Sequence, residues 1–207
     1  MRTLSAALLL GSLTLAPLTL SAQASPDRSR WSLEATTEAA VPMDKLGVAD
    51  LSTGFGLGFN LRMRLQPHLF AYAGWEWHRF ESDELIVGET SHAEDTGYTL
   101  GLRFEHPFKG DAVAGRARAS GAGYWLRLGA LVNHIEIENE DGDIVSDTKH
   151  GLGWEGGAGL SLPLNNRLAL TPGVRYRSLS RDLTLGATTR SVTLGYVTAG
   201  VGLALTF

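Results

Sequence analysis

Cysteine is absent from the 207-residue sequence, which excludes a disulfide framework and any cysteine-ligated metal centre. Neither sign of charge dominates. Eighteen Lys and Arg stand against 22 Asp and Glu, for a net charge of −4, so there is no basic excess of the kind that binds nucleic acid. Beyond residue 24 no apolar run reaches the ~20 residues that a membrane helix requires. Hydropathy alone would therefore call that region soluble. Internal repeats beyond a hairpin rhythm, low-complexity tracts and signs of a second domain are also missing, and 207 residues fit a single domain. What is plentiful is glycine, at 25 residues.

Residues 1–24 read as a secretory signal. Arg2 supplies the positive start, Leu4 to Leu20 the apolar stretch, and Ala22-Gln23-Ala24 the small residues of a cleavage site. Cleavage after Ala24 would leave a domain spanning 25–207. An uncleaved N-terminal anchor is the competing reading, and the cleavage motif weighs against it.

The period of the pattern carries the fold. At the C-terminal end Val197, Ala199, Val201, Leu203, Leu205 and Phe207 alternate with Tyr196, Thr198, Gly200, Gly202, Ala204 and Thr206. A greasy face opposite a small or polar face at period two is a strand. The same alternation sets Phe55, Leu57, Phe59 and Leu61 against Gly54, Gly56, Gly58 and Asn60. It sets Ala71, Ala73, Trp75 and Trp77 against Tyr72, Gly74, Glu76 and His78, and Tyr98, Leu100, Leu102 and Phe104 against Gly97, Thr99, Gly101 and Arg103. Leu126 and Leu128 oppose Arg127 and Gly129, Trp154 and Leu160 oppose Glu155 and Gly159, and Val174 and Tyr176 oppose Arg175 and Arg177. A weaker first strand holds Trp31, Leu33 and Ala35 against Ser32, Glu34 and Thr36. That makes eight strands, each long enough for the ~9–11 residues of a tilted membrane-crossing strand.

A sheet in lipid must close, because an open edge would leave backbone groups unpaired in hydrocarbon. The expected fold is all-β: a closed, eight-stranded, antiparallel, up-and-down transmembrane β-barrel. Bulky residues would face lipid and the glycine-rich set would line a narrow lumen. A soluble secreted barrel, such as a lipocalin, would reverse that arrangement. Long polar connections are expected at Pro42–Asp50, Glu81–Thr96, Glu138–His150 and Ser180–Arg190. Tight turns are expected at Gln66-Pro67 and at Pro163–Asn166. With both termini in the periplasm the long connections face outward. The segment from Pro107 to Ser120, with Lys109, Arg116 and Arg118, is too long for a periplasmic turn of this pattern.

These features resemble the small outer-membrane barrels of the OmpA transmembrane-domain and OmpX type. The features in common are the signal, the eight amphipathic strands and a last strand ending in Phe207, preceded at every second position by Leu205, Leu203 and Val201. The resemblance covers 25–207 and is one of architecture. It implies a Gram-negative outer-membrane location after export, and lipid and lipopolysaccharide as surroundings. It implies that Phe207, Leu205, Leu203 and Val201 are read by the barrel-assembly machinery, that the protein is a monomer, and that any extracellular ligand meets the loops.

The inward parity collects charges of both signs. A charge in a narrow lumen must be paired or wetted, so an ion-pair network is expected around Glu76, Arg103, Arg127, Glu155 and Arg175, with Glu155 nearly opposite Arg175. Such a network can plug the lumen and fix strand register, or it can line a narrow porin-like channel for small solutes. The nearly filled interior of an eight-stranded barrel favours the plug.

A third function is a lipid A-modifying hydrolase. The resemblance brings in the outer-membrane deacylases, which use a His and a Ser two residues apart on one strand, and no His-x-Ser occurs here. Ser91 and His92 are adjacent and fall in an expected loop. His134 with Glu136 forms a rim pair without a nucleophile. The acidic stretches Glu81–Asp95 and Glu138–Asp147 read as solvated surface, since Asp141-Gly142-Asp143 lacks EF-hand spacing. No catalytic residue, cofactor or metal site is assigned. The leading reading is a non-enzymatic barrel with a role in envelope integrity or adhesion.

Overall fold

The computed structural model describes residues 30–47, 49–83, 85–86, 90–108, 121–185 and 188–207. The expected signal segment and most of the Pro107–Ser120 connection lie outside these residues. The described chain forms β1 (Trp31–Pro42), β2 (Gly54–Gln66), β3 (Leu69–Ser82), β4 (Ser91–Pro107), β5 (Gly123–Glu138), β6 (Ile144–Asp147), β7 (Gly151–Pro163), β8 (Leu168–Leu170), β9 (Gly173–Leu185) and β10 (Thr188–Thr206).

Every pairing is antiparallel, and the sheet closes on itself. The order runs β1, β2, β3, β4, β5, β7, β9 and β10, and β10 returns to β1. β8 pairs with both β7 and β10. It is the lower part of the β9 stave, cut from it at Thr171-Pro172, where proline cannot donate to the ladder. Among the described residues β6 pairs with β5 alone and extends that wall above β7. Ten segments therefore make eight staves.

The connections depart from the sequence expectation on one side. β3 and β4 run on to Ser82 and Ser91, paired through Ser82↔Ser91, so most of Glu81–Thr96 is hairpin rather than loop. Likewise β9 and β10 pair out to Leu185↔Thr188 across most of Ser180–Arg190. The tight turns fall where expected. In one of them Asn165 Oδ1 accepts from the backbone N–H groups of Arg167 and Leu168 at 2.8 and 2.9 Å, an Asx turn.

The outward face over the middle of the barrel is apolar and bare. Phe59, Leu61, Leu100, Leu102, Leu126, Leu128, Val174, Leu203 and Leu205 are all exposed. A soluble monomer rarely shows so continuous an apolar surface, and lipid is the solvent that makes it favourable. Aromatic side chains flank it, with Trp75, Tyr98 and Trp154 exposed towards one rim and Trp31 and Phe207 towards the other.

Above Trp75 and Tyr98 the alternation changes phase. The outward residues become Arg79, Glu94, His134 and Glu136, and the inward ones become Phe80, Ala93, Ile135 and Ile137, all fully buried. The inversion marks where the barrel leaves the membrane. Below it lipid covers the outside. Above it water does, and the apolar face must turn inward.

Candidate functional site

The lumen holds the densest chemistry of the chain. Inward parity on β1, β3, β4, β5, β7 and β9 brings carboxylates and arginines from all sides into a narrow space. Glu76, Glu155, Arg103 and Arg177 are almost wholly buried, and Glu34, Arg127 and Arg175 are buried as well.

At the lower level Arg103 Nη1 donates to both Glu34 oxygens at 3.1 Å, and Thr171 donates to Glu34 at 2.5 Å. Arg103 also lies 2.7 Å from Glu105, which takes a second contact of 2.7 Å from Arg62. The Arg103 guanidinium sits 4.5 Å over the Trp125 ring, an arrangement that suits its planar, weakly hydrated cation.

At the middle level Arg175 reaches Glu76 at 2.6 Å, Glu38 at 2.5 Å and Glu155 at 3.3 Å. Glu155 also pairs with Arg127 and accepts from Tyr72 Oη at 2.7 Å and Thr99 Oγ1 at 2.9 Å. Arg127 stacks 4.2 Å over the Tyr72 ring and approaches Glu76 to 3.6 Å. Arg177 pairs with the other Glu76 oxygen. At the upper level Tyr196 Oη donates to Asp95 at 2.5 Å and Asn133 donates to Asp95 at 2.6 Å. His78 lies 3.5 Å from Glu38 and 3.3 Å from Arg177.

The network contains the five residues singled out by parity, and it is divided. Glu76, Arg127, Glu155 and Arg175 meet in one cluster. Arg103 belongs to the lower cluster with Glu34 and Glu105. The cross-strand partner of Glu155 is Arg177, not Arg175, which pairs with Gly157, so the Arg175 contact runs diagonally. Parity also placed Glu34 and Arg177 inside without assigning them to the network. Asp95 was missed, because it falls in a stretch read as loop; continuing the odd parity of β4 upward would have found it.

Around and above Tyr196 the inward side chains are of a different kind. Ala40, Leu46, Phe80, Ala93, Leu131, Ile135, Ile137, Leu179, Val192 and Leu194 form one buried apolar cluster. Phe80 packs edge-on to Tyr196, with ring centroids 5.1 Å apart. Below this cap, the space between Glu34, Glu38, Arg103, Arg127 and Arg175 amounts to about 20 Å³, room for roughly one water molecule.

Ser91 and His92 lie on β4 rather than in a loop. Ser91 points inward and donates to the Ser82 carbonyl at 2.8 Å, while His92 faces out beside Glu81 at 3.9 Å. The two side chains share no face. His134 stays on the outer surface, 2.8 Å from Asp147 and 3.6 Å from Glu136.

A closed barrel with a lipid-facing belt and a charged interior is an integral membrane protein of the bacterial outer membrane. The chain belongs to the outer membrane protein beta-barrel domain family, whose model matches residues 5–207. Solved structures agree in fold. OprG of Pseudomonas aeruginosa is 16% identical, with a TM-score of 0.57 over 86% of this chain and 97% of that one. Neisserial surface protein A is 14% identical, with a TM-score of 0.54 over 86% and 97%. Escherichia coli outer membrane protein W is 16% identical, with a TM-score of 0.52 over 87% and 99%. No curated protein sequence matches the chain significantly.

Proposed function

We propose that this protein is a non-enzymatic outer-membrane barrel with a shut lumen, which supports envelope integrity and presents its extracellular hairpins to the surroundings. The observation that carries the reading is the Glu76–Arg175 ion pair inside the lumen, with the apolar cap above it. A conducting path would need continuous wetted space, and a packed apolar cap gives water no partners. In the hydrolase reading His134 would need an activated nucleophile, yet among the described residues its ring hydrogen-bonds to Asp147 and not to a hydroxyl, and Ser91 and His92 sit on opposite faces of β4.

Lipopolysaccharide and lipid would surround the belt. In the same reading, Phe207 with Leu205, Leu203 and Val201 would serve the assembly machinery as an exposed terminal signature. Swelling of proteoliposomes in small sugars tests the closed lumen. The reading predicts swelling no faster than in protein-free vesicles. Size-dependent swelling would instead establish the narrow channel. Unchanged lipid A mass profiles in cells with and without the protein are expected, and a lost acyl chain would overturn the non-enzymatic assignment.

A further inference from the structure

The outer surface of β5 and β6 carries a cluster that the lumen does not use. Glu136 and Asp147 are cross-strand partners, and His134, two residues before Glu136, shares its face. His134 Nδ1 lies 2.8 Å from Asp147 Oδ1 and 3.6 Å from Glu136 Oε1. One ligand atom from each of the three residues falls within 4.8 Å of the other two. Paired strands, not a loop, set this arrangement.

His150 stacks on His134 with centroids 4.4 Å apart and planes 14° from parallel. Lone pairs of two parallel rings do not converge on one point, so His150 holds the His134 ring without joining its donor set. The neighbouring acids Glu94 and Glu138 come within 4.8 Å of Glu136 but have a cation of their own. Arg79 pairs with Glu94 at 3.2 Å and with Glu138 at 3.4 Å. Glu136 and Asp147 have only the His134 imidazole as a cationic partner among the described ion pairs.

We propose that His134, Glu136 and Asp147 form a binding site for a divalent transition-metal ion, of which zinc is the simplest probe, on the extracellular rim of the barrel. One imidazole and two carboxylates suit a borderline ion with nitrogen and oxygen ligands. Zinc bonds of ~2.0–2.2 Å in tetrahedral array space the ligand atoms roughly 3.3 Å apart. The 2.8 and 3.6 Å contacts bracket that spacing, so small side-chain rotations complete the site. Calcium fits less well, since it takes about 6–8 oxygens. Asp147 is half exposed to solvent, and with His150 it also lines an open cleft of about 440 Å³.

The test is calorimetric titration of zinc chloride into the tag-free, folded protein in detergent micelles. Heat-shifted gel mobility checks that each variant is folded. One ion per barrel is expected. His134→Ala and Asp147→Asn should each weaken binding by about tenfold or more. His92→Ala should leave it unchanged, as should His150→Phe, which keeps the stack. An absence of binding to the wild type overturns the proposal. So does undiminished affinity in His134→Ala, which would mean oxygen-only binding elsewhere on the acidic rim. Loss of binding in folded His150→Phe overturns the assigned donor set.

Discussion

Arg175 and Glu76 meet at 2.6 Å across the full width of the barrel. Arg175 stands on β9 and Glu76 on β3, and three staves lie between these strands whichever way the ring is followed. One ion pair thus ties opposite walls together. Each partner has further contacts, with Glu38 and Glu155 around Arg175 and with Arg127 and Arg177 around Glu76.

Removing one partner leaves buried charge uncompensated. Glu76→Gln should therefore destabilise the folded barrel by roughly 3–5 kcal/mol, read from urea unfolding in lipid vesicles. Replacing Arg175 by Met in the Glu76→Gln background should cost less than it does alone, because the two residues act as a unit. Strict additivity would mean that the pair does not couple.

Lipid contact makes a second prediction. Leu128 is 65% exposed at the middle of the outward face of β5, and Leu128→Arg should cost about 2–4 kcal/mol. Ile144 is 56% exposed on β6, above the phase inversion. Ile144→Arg there should stay within about 0.5 kcal/mol. Equal costs at the two positions would misplace the membrane boundary.

Glycine makes room for the Tyr72 phenol. A Cβ at Gly129 would stand 2.1 Å from Tyr72 Oη, so Gly129→Ala must push the ring aside and break its 2.7 Å hydrogen bond to Glu155. The expected outcome is a loss of stability, and Tyr72→Phe should then add little on the Gly129→Ala background. Undiminished stability of Gly129→Ala in urea unfolding would contradict this placement of the ring.

Period-two alternation made the staves legible, together with the inward placing of Glu76, Glu155 and Arg175 and the outward placing of Leu126 and Leu128. It was less informative above the membrane for a physical reason. Once lipid no longer covers the outside, the greasy residues move to the inward parity, as at Phe80, Ile135 and Ile137. The outward residues become charged, as at Arg79, Glu94 and Glu136. A stretch of outward charge looks like loop when the lower phase is assumed, which is why Asp95 and the apolar cap went unread. The diagonal Glu155–Arg175 contact was illegible for another reason. The break at Thr171-Pro172 and the register of the turn decide which residues stand opposite, and neither leaves a mark in the alternation.

Single-channel recording from purified protein in planar bilayers tests the proposed closure of the lumen most directly. The network and cap predict no steady conductance in the wild type over the voltages a bilayer tolerates. A stable ohmic open level in the wild type, persisting across preparations, would contradict the closed-lumen account.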